Sequence, residues 1–391
     1  MICRGIHAVT GEAIEVRGER AITSVEPLLG APGPLPFLAP GFVDLQVNGF
    51  AGVDYCAPTS TVEEIGRSLD AQFATGVTRL LPTVITGSHD VMAGALRRLA
   101  DARESLLNGE TMEGFHVEGP HISPEDGPRG AHPLAAVRPP SIDEFRRLQD
   151  AARGGIKLIT LSPEYDDAPR YIEAVVREGI VVSIGHTKAS SEQIANAVSA
   201  GATMSTHIGN GAHSTLARHP NYIWDQLAED RLTASFIVDG IHLGAAFLKS
   251  ALRAKGLERS VLITDAVMPC GMPPGDYQLG EVAVTLHPPG DRVTLRGGTR
   301  LAGSALRMDR GVEFLMKLAR LSLAEAVTLA TTNPARAGRI AGRLRGLQPG
   351  EKADLVEFDY DAPTASIRVR RTWLAGRLVF EQAFERQSET A

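Results

Sequence analysis

Five short apolar runs in the sequence each end in a residue that can bind a metal ion or move a proton. The runs end at Glu118, His186, His207, His242 and Asp265. Apolar runs of this length between turn residues are typical of buried strands in a parallel sheet. Ligand-type side chains at the carboxyl ends of several such strands are the arrangement of a (β/α)8-barrel active site. The pattern predicts a metal-dependent hydrolase.

Glu118, His186 and His207 are the predicted metal ligands. A catalytic zinc ion takes about three protein ligands of nitrogen or oxygen type and keeps one position for water. His116 lies two residues before Glu118 and shares its face in a regular strand. It is therefore a ligand, a partner of a ligand, or a side chain that fills the barrel interior. We favour Glu118 because it begins a Glu-Gly-Pro turn at the end of its strand.

Asp265 stands alone at the end of the last apolar run, where a buried carboxylate is unfavourable without a partner. Its functional interpretation is a general base and acid that acts on metal-bound water and then on the leaving amine. The alternative is a structural cap of the following segment. In the first strand, Gln46 and Asn48 share one face, where barrel metallohydrolases often carry His-x-His for a second metal. Two neutral amides there predict one metal ion.

The elements that must position these residues follow a repeating pattern. Apolar segments alternate with segments of helical periodicity, and eight such units in a row favour a closed parallel barrel. The predicted fold class is therefore α/β, a (β/α)8 TIM-type barrel. The eight candidate strands are 42–48, 77–84, 114–118, 157–162, 180–185, 203–208, 233–239 and 260–265.

The chain divides into two predicted domains. Residues 39–339 form the hydrolase barrel, with a β-hairpin insertion near 270–303 and helices near 309–319 and 323–332. Residues 1–38 and 340–391 contain strand-like runs, and neither segment alone has enough strands to be stable. We expect the two segments to pair as a small β-sandwich domain.

Composition excludes several classes of protein. The 391 residues are 43% hydrophobic and 22% charged, ordinary values for a globular chain. A net charge of −6 without a basic stripe argues against nucleic acid as a partner. No apolar stretch approaches the roughly 20 residues of a membrane helix, so no membrane partner is expected. Three widely spaced cysteines and a start unlike a signal peptide predict a cytoplasmic protein.

In their order and spacing, these motifs resemble the amidohydrolase superfamily and, within it, the N-acetylglucosamine-6-phosphate deacetylases. The resemblance runs from about residue 35 to the C-terminus. The matching segments are 40–49, 116–120, 130–133, 185–187, 206–210, 239–242, 264–266, 301–304 and 346–356.

The resemblance implies a role for each matching residue. Glu118, His186 and His207 would hold the metal, Asp265 would transfer protons, and His132 would help to polarise the amide carbonyl. It also implies a homodimer in which Arg218 is supplied to the phosphate by the neighbouring subunit. The candidate substrate-binding residues are His242, Asn210, Gly211, Arg218, Gln46 and Asn48.

The implied reaction is metal-dependent hydrolysis of the acetamide of N-acetylglucosamine 6-phosphate, which gives glucosamine 6-phosphate and acetate. Zinc is the expected metal, and Fe²⁺, Co²⁺ and Mn²⁺ stay open because imidazole and carboxylate suit them all. In residues 206–213, 218–221 and 222–230 the sequence departs from the family pattern, so the 6-phosphate specificity stays open. There, His213 and His219 are either phosphate donors or surface residues. The alternatives are hydrolysis of another N-acyl sugar or cyclic amide, and a catalytically silent scaffold barrel.

Overall fold

The structure, a computed structural model, describes residues 1–30, 33–280 and 282–383. Residues 31–32, 281 and 384–391, which the predicted domains include, lie outside the described residues. Within the described ranges, no helix is both long enough and apolar enough to cross a membrane.

The elements are numbered in chain order. The strands are β1 (Ile2–His7), β2 (Ala13–Gly18), β3 (Ile22–Pro27), β4 (Phe37–Pro40), β5 (Phe42–Val47), β6 (Gly49–Phe50), β7 (Val53–Asp54), β8 (Val77–Ile85), β9 (Phe115–Glu118), β10 (Ile156–Leu161), β11 (Val181–Ile184), β12 (Met204–Ser205), β13 (Thr233–Ile237), β14 (Ser260–Ile263), β15 (Gly275–Leu279), β16 (Val282–His287), β17 (Arg292–Leu295), β18 (Leu355–Asp361), β19 (Ser366–Leu374) and β20 (Arg377–Glu381). The α-helices are α1 (Val62–Phe73), α2 (His89–Ser105), α3 (Ile142–Ala151), α4 (Ala168–Arg177), α5 (Ser191–Ser199), α6 (Tyr222–Ala228), α7 (Ala245–Lys255), α8 (Met308–Phe314), α9 (Leu323–Ala330) and α10 (Thr332–Ala337).

Eight parallel strands form the central sheet, in the order β5-β8-β9-β10-β11-β12-β13-β14. Each strand lies at one of the eight positions predicted from the apolar runs. Strands such as β9 and β11 are buried along their whole length, as expected for a parallel sheet covered on both faces. Because parallel strands need long crossover connections, each strand is followed by a helix before the next one. The α/β fold class with a (β/α)8 barrel is confirmed.

The barrel closes through the segment that follows β14. The backbone N–H of Asp265 donates to the carbonyl oxygen of Gln46 at 2.9 Å. The backbone N–H of Asn48 donates to the carbonyl oxygen of Ala266 at 2.7 Å. This seam places Asp265 beside the two amide side chains of the first barrel strand.

The segment predicted as a hairpin insertion forms a small antiparallel sheet, in the order β15-β16-β17. Its buried residues Val284, Leu286 and Val293 pack in one cluster with Val267 and Ala302. The insertion therefore lies next to the carboxyl end of β14. The two helices expected after it correspond to α8, extended by a π-helical turn over Leu315–Ala319, and to α9.

The terminal segments form one seven-stranded sheet, in the order β20-β19-β18-β4-β1-β2-β3. Strand β4 pairs antiparallel with β18, so strands from the N-terminal and C-terminal segments share one sheet. Cys3, Val16, Leu38, Leu355 and Trp373 belong to a separate apolar cluster in this sheet. The boundaries of the two domains, 1–38 plus 340–391 and 39–339, stay a prediction.

A buried ion cluster joins the terminal sheet to the barrel. The carboxylate of Asp354 accepts hydrogen bonds from Arg79 Nε at 2.7 Å and from Arg343 Nη1 at 2.7 Å. None of the three residues is more than 3% exposed. Burial works to raise the pKa of Asp354, but the charges of Arg343 and Arg79 outweigh it and hold this pKa below its ordinary range.

Candidate active site

Three buried donor atoms converge where β9, β11 and β12 end. Oε1 of Glu118 lies 2.9 Å from Nε2 of His207 and 3.2 Å from Nε2 of His186. The two Nε2 atoms are 3.1 Å apart. One ligand atom from each residue lies within 4.8 Å of the others, so the three side chains form a possible site for one metal ion.

His186, His207 and Asp265 share an unusual backbone conformation. Their φ angles are 49°, 30° and 50°, in the left-handed region that non-glycine residues rarely adopt. Each of the three follows the last residue of its strand by two positions. Such conformations are unfavourable by about 1–3 kcal/mol each and cluster at active sites. The shared bend turns three side chains from different strands toward one point at the barrel mouth.

The ring of His186 is oriented by backbone atoms. Its Nδ1 lies 2.8 Å from the carbonyl oxygen of Pro128, which can only accept a hydrogen bond. In the neutral ring the proton is therefore on Nδ1, and Nε2 carries the lone pair that a metal ligand needs. Gly211 and Gly130 leave room for this ring, because a Cβ on them would lie 2.7 Å from Nδ1 and 3.2 Å from Cε1.

This donor set fits a divalent transition metal. Two imidazole nitrogens and one carboxylate oxygen match the three-ligand pattern of catalytic zinc. Burial works to raise the pKa of Glu118, but its interactions with the adjacent His186 and His207 rings outweigh it and hold this pKa well below its ordinary range. The carboxylate is therefore ionised, the form that binds a cation.

Asp265 faces the same point from the barrel seam. Its Oδ1 accepts hydrogen bonds from Asn48 Nδ2 at 2.6 Å and from Gln46 Nε2 at 3.1 Å. The Gln46 amide also donates to Oε1 of Glu118 at 3.0 Å, so it holds the two carboxylates in a fixed relation. Burial and the negative charge of Glu118 raise the pKa of Asp265. A raised pKa suits a group that must carry a proton during a reaction.

His132 reaches the site from the loop that follows β9. Its Nδ1 lies 2.8 Å from Thr86 Oγ1, and its ring centroid lies 4.4 Å from that of His186. Burial, assisted by the charge of His186, lowers the pKa of His132 to about 3. The ring is therefore neutral near pH 7. When Thr86 donates to Nδ1, the ring proton lies on Nε2 and is free to donate.

These groups line a cavity of about 640 Å³ at the barrel mouth. Asn210, Gly211, His242 and Asn48 also line it. Gln46 is 2% exposed and lies behind the described lining residues, where its amide bonds the carboxylates. The structure thus brings most of the predicted site residues to one cavity.

His242 is oriented by Asp239, a residue that had no predicted role. Asp239 accepts hydrogen bonds from the backbone N–H groups of Ile241 and His242, each at 2.8 Å. Its other oxygen lies 2.5 Å from His242 Nδ1. An Asp that binds the amides two and three residues later is a common local turn, so the segment Asp-Gly-Ile-His carried a usable signal.

Arg218 and His219 lie apart from the cavity of this chain. Both are exposed, and neither belongs to the described residues that line the cavity. His213 does line it, with Nε2 2.9 Å from Glu125 Oε1 and Nδ1 2.9 Å from Tyr222 Oη. Of the two histidines that were predicted as either phosphate donors or surface residues, His213 is therefore the one that can contact a ligand in this cavity.

His116 is fully buried inside the barrel. Its Nε2 lies 2.8 Å from Thr160 Oγ1, and its Nδ1 lies 3.4 Å from Thr83 Oγ1. Burial is the main cause that lowers the pKa of His116 to about 4. These contacts favour the interpretation in which His116 fills the barrel interior with its polar atoms satisfied.

A second cavity, of about 1050 Å³, lies on the terminal sheet and is lined by Arg4, Arg368 and Trp373 among others. None of the predicted site residues lines it. The cavity at the barrel mouth is therefore the candidate active site, since the metal-binding group and the proton carrier converge there.

Comparisons with known proteins agree with this geometry. The sequence profile of the amidohydrolase family matches residues 37–379. The N-acetylglucosamine-6-phosphate deacetylase of Bacillus subtilis (strain 168) is 35% identical over 328 residues, which cover 83% of this chain and 81% of that protein. The N-acetylgalactosamine-6-phosphate deacetylase of Shewanella sp. (strain ANA-3) is 34% identical over 349 residues, 88% of this chain and 83% of that protein.

Solved structures extend the likeness to nearly the whole chain. A mutant N-acetyl-D-glucosamine-6-phosphate deacetylase from Mycobacterium smegmatis, in complex with N-acetyl-D-glucosamine-6-phosphate, superposes with a TM-score of 0.85. It is 28% identical, and the match covers 96% of this chain and 97% of that one. The N-acetylglucosamine-6-phosphate deacetylase from Thermotoga maritima gives a TM-score of 0.84 at 27% identity, with 98% and 100% of the two chains covered.

Proposed function

Because this chain belongs to the amidohydrolase family, we propose that it is a metal-dependent deacetylase of an N-acetylhexosamine 6-phosphate, with N-acetylglucosamine 6-phosphate as the first substrate to test. One observation carries the proposal. Glu118, His186, His207 and Asp265 meet in a single cavity, in a chain whose relatives are named as deacetylases of such substrates. Amide hydrolysis needs a polarised carbonyl, an attacking water and a proton for the leaving amine, and this set of groups supports each need.

We propose a single divalent metal ion, zinc, held by Glu118, His186 and His207. When bound, such an ion polarises a carbonyl and lowers the pKa of bound water. The amides of Gln46 and Asn48 point N–H groups at Glu118 and Asp265. Donors in these places satisfy the carboxylates without a second cation, which supports the proposal of one metal.

Asp265 is the proposed proton carrier. Its carboxylate takes a proton from the attacking water, whose oxygen forms the new bond to the acetyl carbon. The carbon–nitrogen bond then breaks, Asp265 returns the proton to the sugar amine, and acetate leaves. The Gln46 and Asn48 hydrogen bonds keep the carboxylate aimed at the reacting atoms throughout.

His132 is the proposed donor to the carbonyl oxygen of the acetyl group. Its neutral ring can donate through Nε2 while Thr86 donates to Nδ1. A fixed donor at the position where negative charge develops lowers the barrier most in a site that excludes water. His132 is 6% exposed, so its environment supports that role.

The sugar is proposed to bind against Asn210, the backbone at Gly211, and His242, which line the cavity. Relatives of nearly equal identity are named for glucosamine and galactosamine substrates, which differ at one ring carbon. The proposed homodimer would bring Arg218 of the partner subunit to the phosphate. Free Cys3, Cys56 and Cys270 support placement in the reducing cytoplasm.

The test is an acetate-release assay on the purified chain supplied with zinc. N-acetylglucosamine 6-phosphate, its galactosamine isomer and unphosphorylated N-acetylglucosamine are compared at equal concentration, before and after chelation. We expect release from a phosphorylated sugar, and its loss on chelation and in the Asp265→Asn variant. Release that survives chelation, or no release from either phosphorylated sugar, would contradict the proposal. Equal rates with and without the phosphate would favour the alternative of another N-acyl sugar.

A further inference from the structure

We infer that Arg300, which no motif singled out, binds the 6-phosphate of the substrate from within the same chain. The inference rests on the proposed function, because it assigns the phosphate partner in that same cavity. In an N-acetylhexosamine 6-phosphate, the phosphate hangs from the opposite side of the sugar ring to the acetamide. If the acetamide meets the metal ligands at the cavity floor, the phosphate must therefore lie at the rim.

Arg300 stands at that rim. Among the described residues that line the cavity, it is the one arginine or lysine. Its chain segment continues to Ser304, whose backbone N–H donates to the carbonyl oxygen of Asp265 at 3.0 Å. Four extended residues span at most about 14 Å. The backbone of Arg300 therefore lies within about 14 Å of Ser304, which is hydrogen-bonded to Asp265 at the cavity floor.

The guanidinium of Arg300 keeps one edge available. Its Nη1 and Nη2 donate to the Asp126 carboxylate at 2.9 Å and 3.1 Å, and Nη1 also lies 3.4 Å from the carbonyl oxygen of Gly130. In the described part of the chain, no hydrogen bond uses its Nε. An arginine has five N–H donors in a planar fork, so Nε and the second proton of Nη2 can bind two phosphate oxygens together.

The charges around Arg300 favour an anion. Asp126 is also approached by Arg129, whose Nη2 lies 3.3 Å from it, so the local group of two arginines and one carboxylate is positive. The Asp126 pair also holds Arg300 in place, since the carboxylate and the Gly130 carbonyl fix its position. An arginine held in this way loses less conformational freedom when it binds a ligand.

Other rim residues can complete the phosphate site. His213, Ser214 and Thr215 line the same cavity. Gly127, next to Asp126, packs on His213: a Cβ on it would lie 3.1 Å from the Cα of His213. The loop of residues 126–130, which bonds Arg300, and the loop that carries His213 therefore meet at one side of the rim. A phosphate bound there would contact both Arg300 and the His213 loop.

The experiment compares Arg300→Gln with the wild-type enzyme on N-acetylglucosamine 6-phosphate and on unphosphorylated N-acetylglucosamine. We expect KM for the phosphorylated sugar to rise at least about fivefold, with kcat little changed and kcat/KM for the unphosphorylated sugar within about twofold. Inorganic phosphate should also inhibit the variant at least about fivefold more weakly. The Arg300→Lys variant keeps the positive charge but loses the planar fork of N–H donors. Its KM for the phosphorylated sugar should lie between the values of the wild-type enzyme and of Arg300→Gln.

Two controls separate phosphate binding from a structural role. Asp126→Asn keeps a side-chain oxygen that can accept a hydrogen bond from Arg300 but removes a negative charge from the rim, so KM for the phosphorylated sugar should stay the same or fall. If it rises as in Arg300→Gln, Arg300 acts by holding the loop and the inference is wrong. Arg296→Gln, an exposed change on the same segment that pairs with Asp276, should leave both sugars unaffected.

Two further outcomes would overturn the inference. One is an Arg300→Gln variant whose KM for the phosphorylated sugar changes less than about fivefold. The other is an equal fall in kcat/KM for the phosphorylated and the unphosphorylated sugar. An Arg218→Gln variant made in parallel shows whether Arg218 also contributes to phosphate binding. If the wild-type enzyme releases no acetate from any phosphorylated sugar, the proposed function itself is wrong. This result differs from that of an active enzyme whose KM does not change in the Arg300→Gln variant, which contradicts only the inference about Arg300.

Discussion

Nε2 of His186 lies 3.1 Å from Nε2 of His207, and both face Oε1 of Glu118. The Nδ1 proton of His186 is engaged by the Pro128 carbonyl, so its Nε2 presents a lone pair. This lone pair and the carboxylate oxygen of Glu118 repel each other unless a proton or a cation lies between them. A divalent cation bound between the three residues would therefore remove this repulsion.

Removal of one ligand should abolish metal-dependent stabilisation. For the wild-type chain, zinc at about 100 times its Kd should raise the free energy of unfolding by about 2.7 kcal/mol. The His207→Ala variant should gain little and should contain less than one metal ion per chain after purification. Metal analysis and urea unfolding with and without chelator measure both effects. The variant His219→Gln, which changes an exposed histidine outside the cavity, should behave as wild type. Zinc stabilisation of His207→Ala equal to wild type would exclude His207 as a ligand.

Loss of the Asp265 carboxylate should stop proton transfer without loss of the metal. In Asp265→Asn the side chain keeps its size and can still meet an amide partner, but it cannot accept the proton of water. General acid and base groups contribute about 10²–10⁴-fold to rate, so kcat should fall by about 10³-fold. Acetate release and metal content are measured on the same sample. Turnover within about tenfold of wild type, with metal bound, would show that Asp265 is not the proton carrier.

The barrel and its ligand set were within reach of sequence reasoning because local patterns encode them. The eight apolar runs specify buried parallel strands, and a metal ligand or the proton carrier stands within two residues of the end of four of them. A strand end fixes the height of a side chain above the barrel, so Glu118, His186, His207 and Asp265 could be expected to meet. The sequence does not show the left-handed φ angles that complete the convergence.

The contacts that orient these residues could not be predicted from the sequence because they join distant segments of the chain. Pro128 holds His186 through a backbone carbonyl, which every residue type possesses. Thr86, which belongs to none of the recognised motifs, contacts His132 across 46 residues of sequence. Arg218 was expected, from resemblance, at the phosphate of the neighbouring subunit; it lies exposed outside the cavity of its own chain, and its role stays a prediction. Loop conformation decides such contacts, and single-sequence patterns constrain loops least.

Thr86 should control the tautomer of His132. For His132 to donate through Nε2, Thr86 must donate to Nδ1 rather than to the carbonyl oxygen of Glu118, which lies 3.3 Å away. The Thr86→Val variant removes that donor while it keeps the shape, so kcat should fall by about tenfold or more with little change in KM. Thr86→Ser retains the hydroxyl and should keep most of the activity. If Thr86→Val and Thr86→Ser have equal kcat values, the hydroxyl does not orient His132.

The Arg79–Asp354–Arg343 cluster should make the barrel–sheet junction sensitive to acid. The pKa of Asp354 is held below its ordinary range by the two arginines, against the effect of burial. A carboxyl group whose pKa is lower in the folded than in the unfolded state stabilises the fold at pH values above the unfolded pKa, about 3.9. This contribution is lost as pH falls from there toward the folded-state pKa, because protonation then favours the unfolded chain.

Asp354→Asn tests that contribution directly. The substitution leaves two buried arginines without their carboxylate, and breaking a buried pair in this way lowers the free energy of unfolding by about 3–5 kcal/mol. Urea unfolding at pH 7 should show this loss, and the gap between wild type and variant should narrow as pH is lowered below about 4. The matched change Asp359→Asn removes a more exposed carboxylate that pairs with Arg368 and Arg370 on the same sheet, and it should lower stability by less than about 1 kcal/mol. Equal losses for the two variants at pH 7 would mean that the buried cluster does not stabilise the junction, since burial is the physical difference between the two carboxylates.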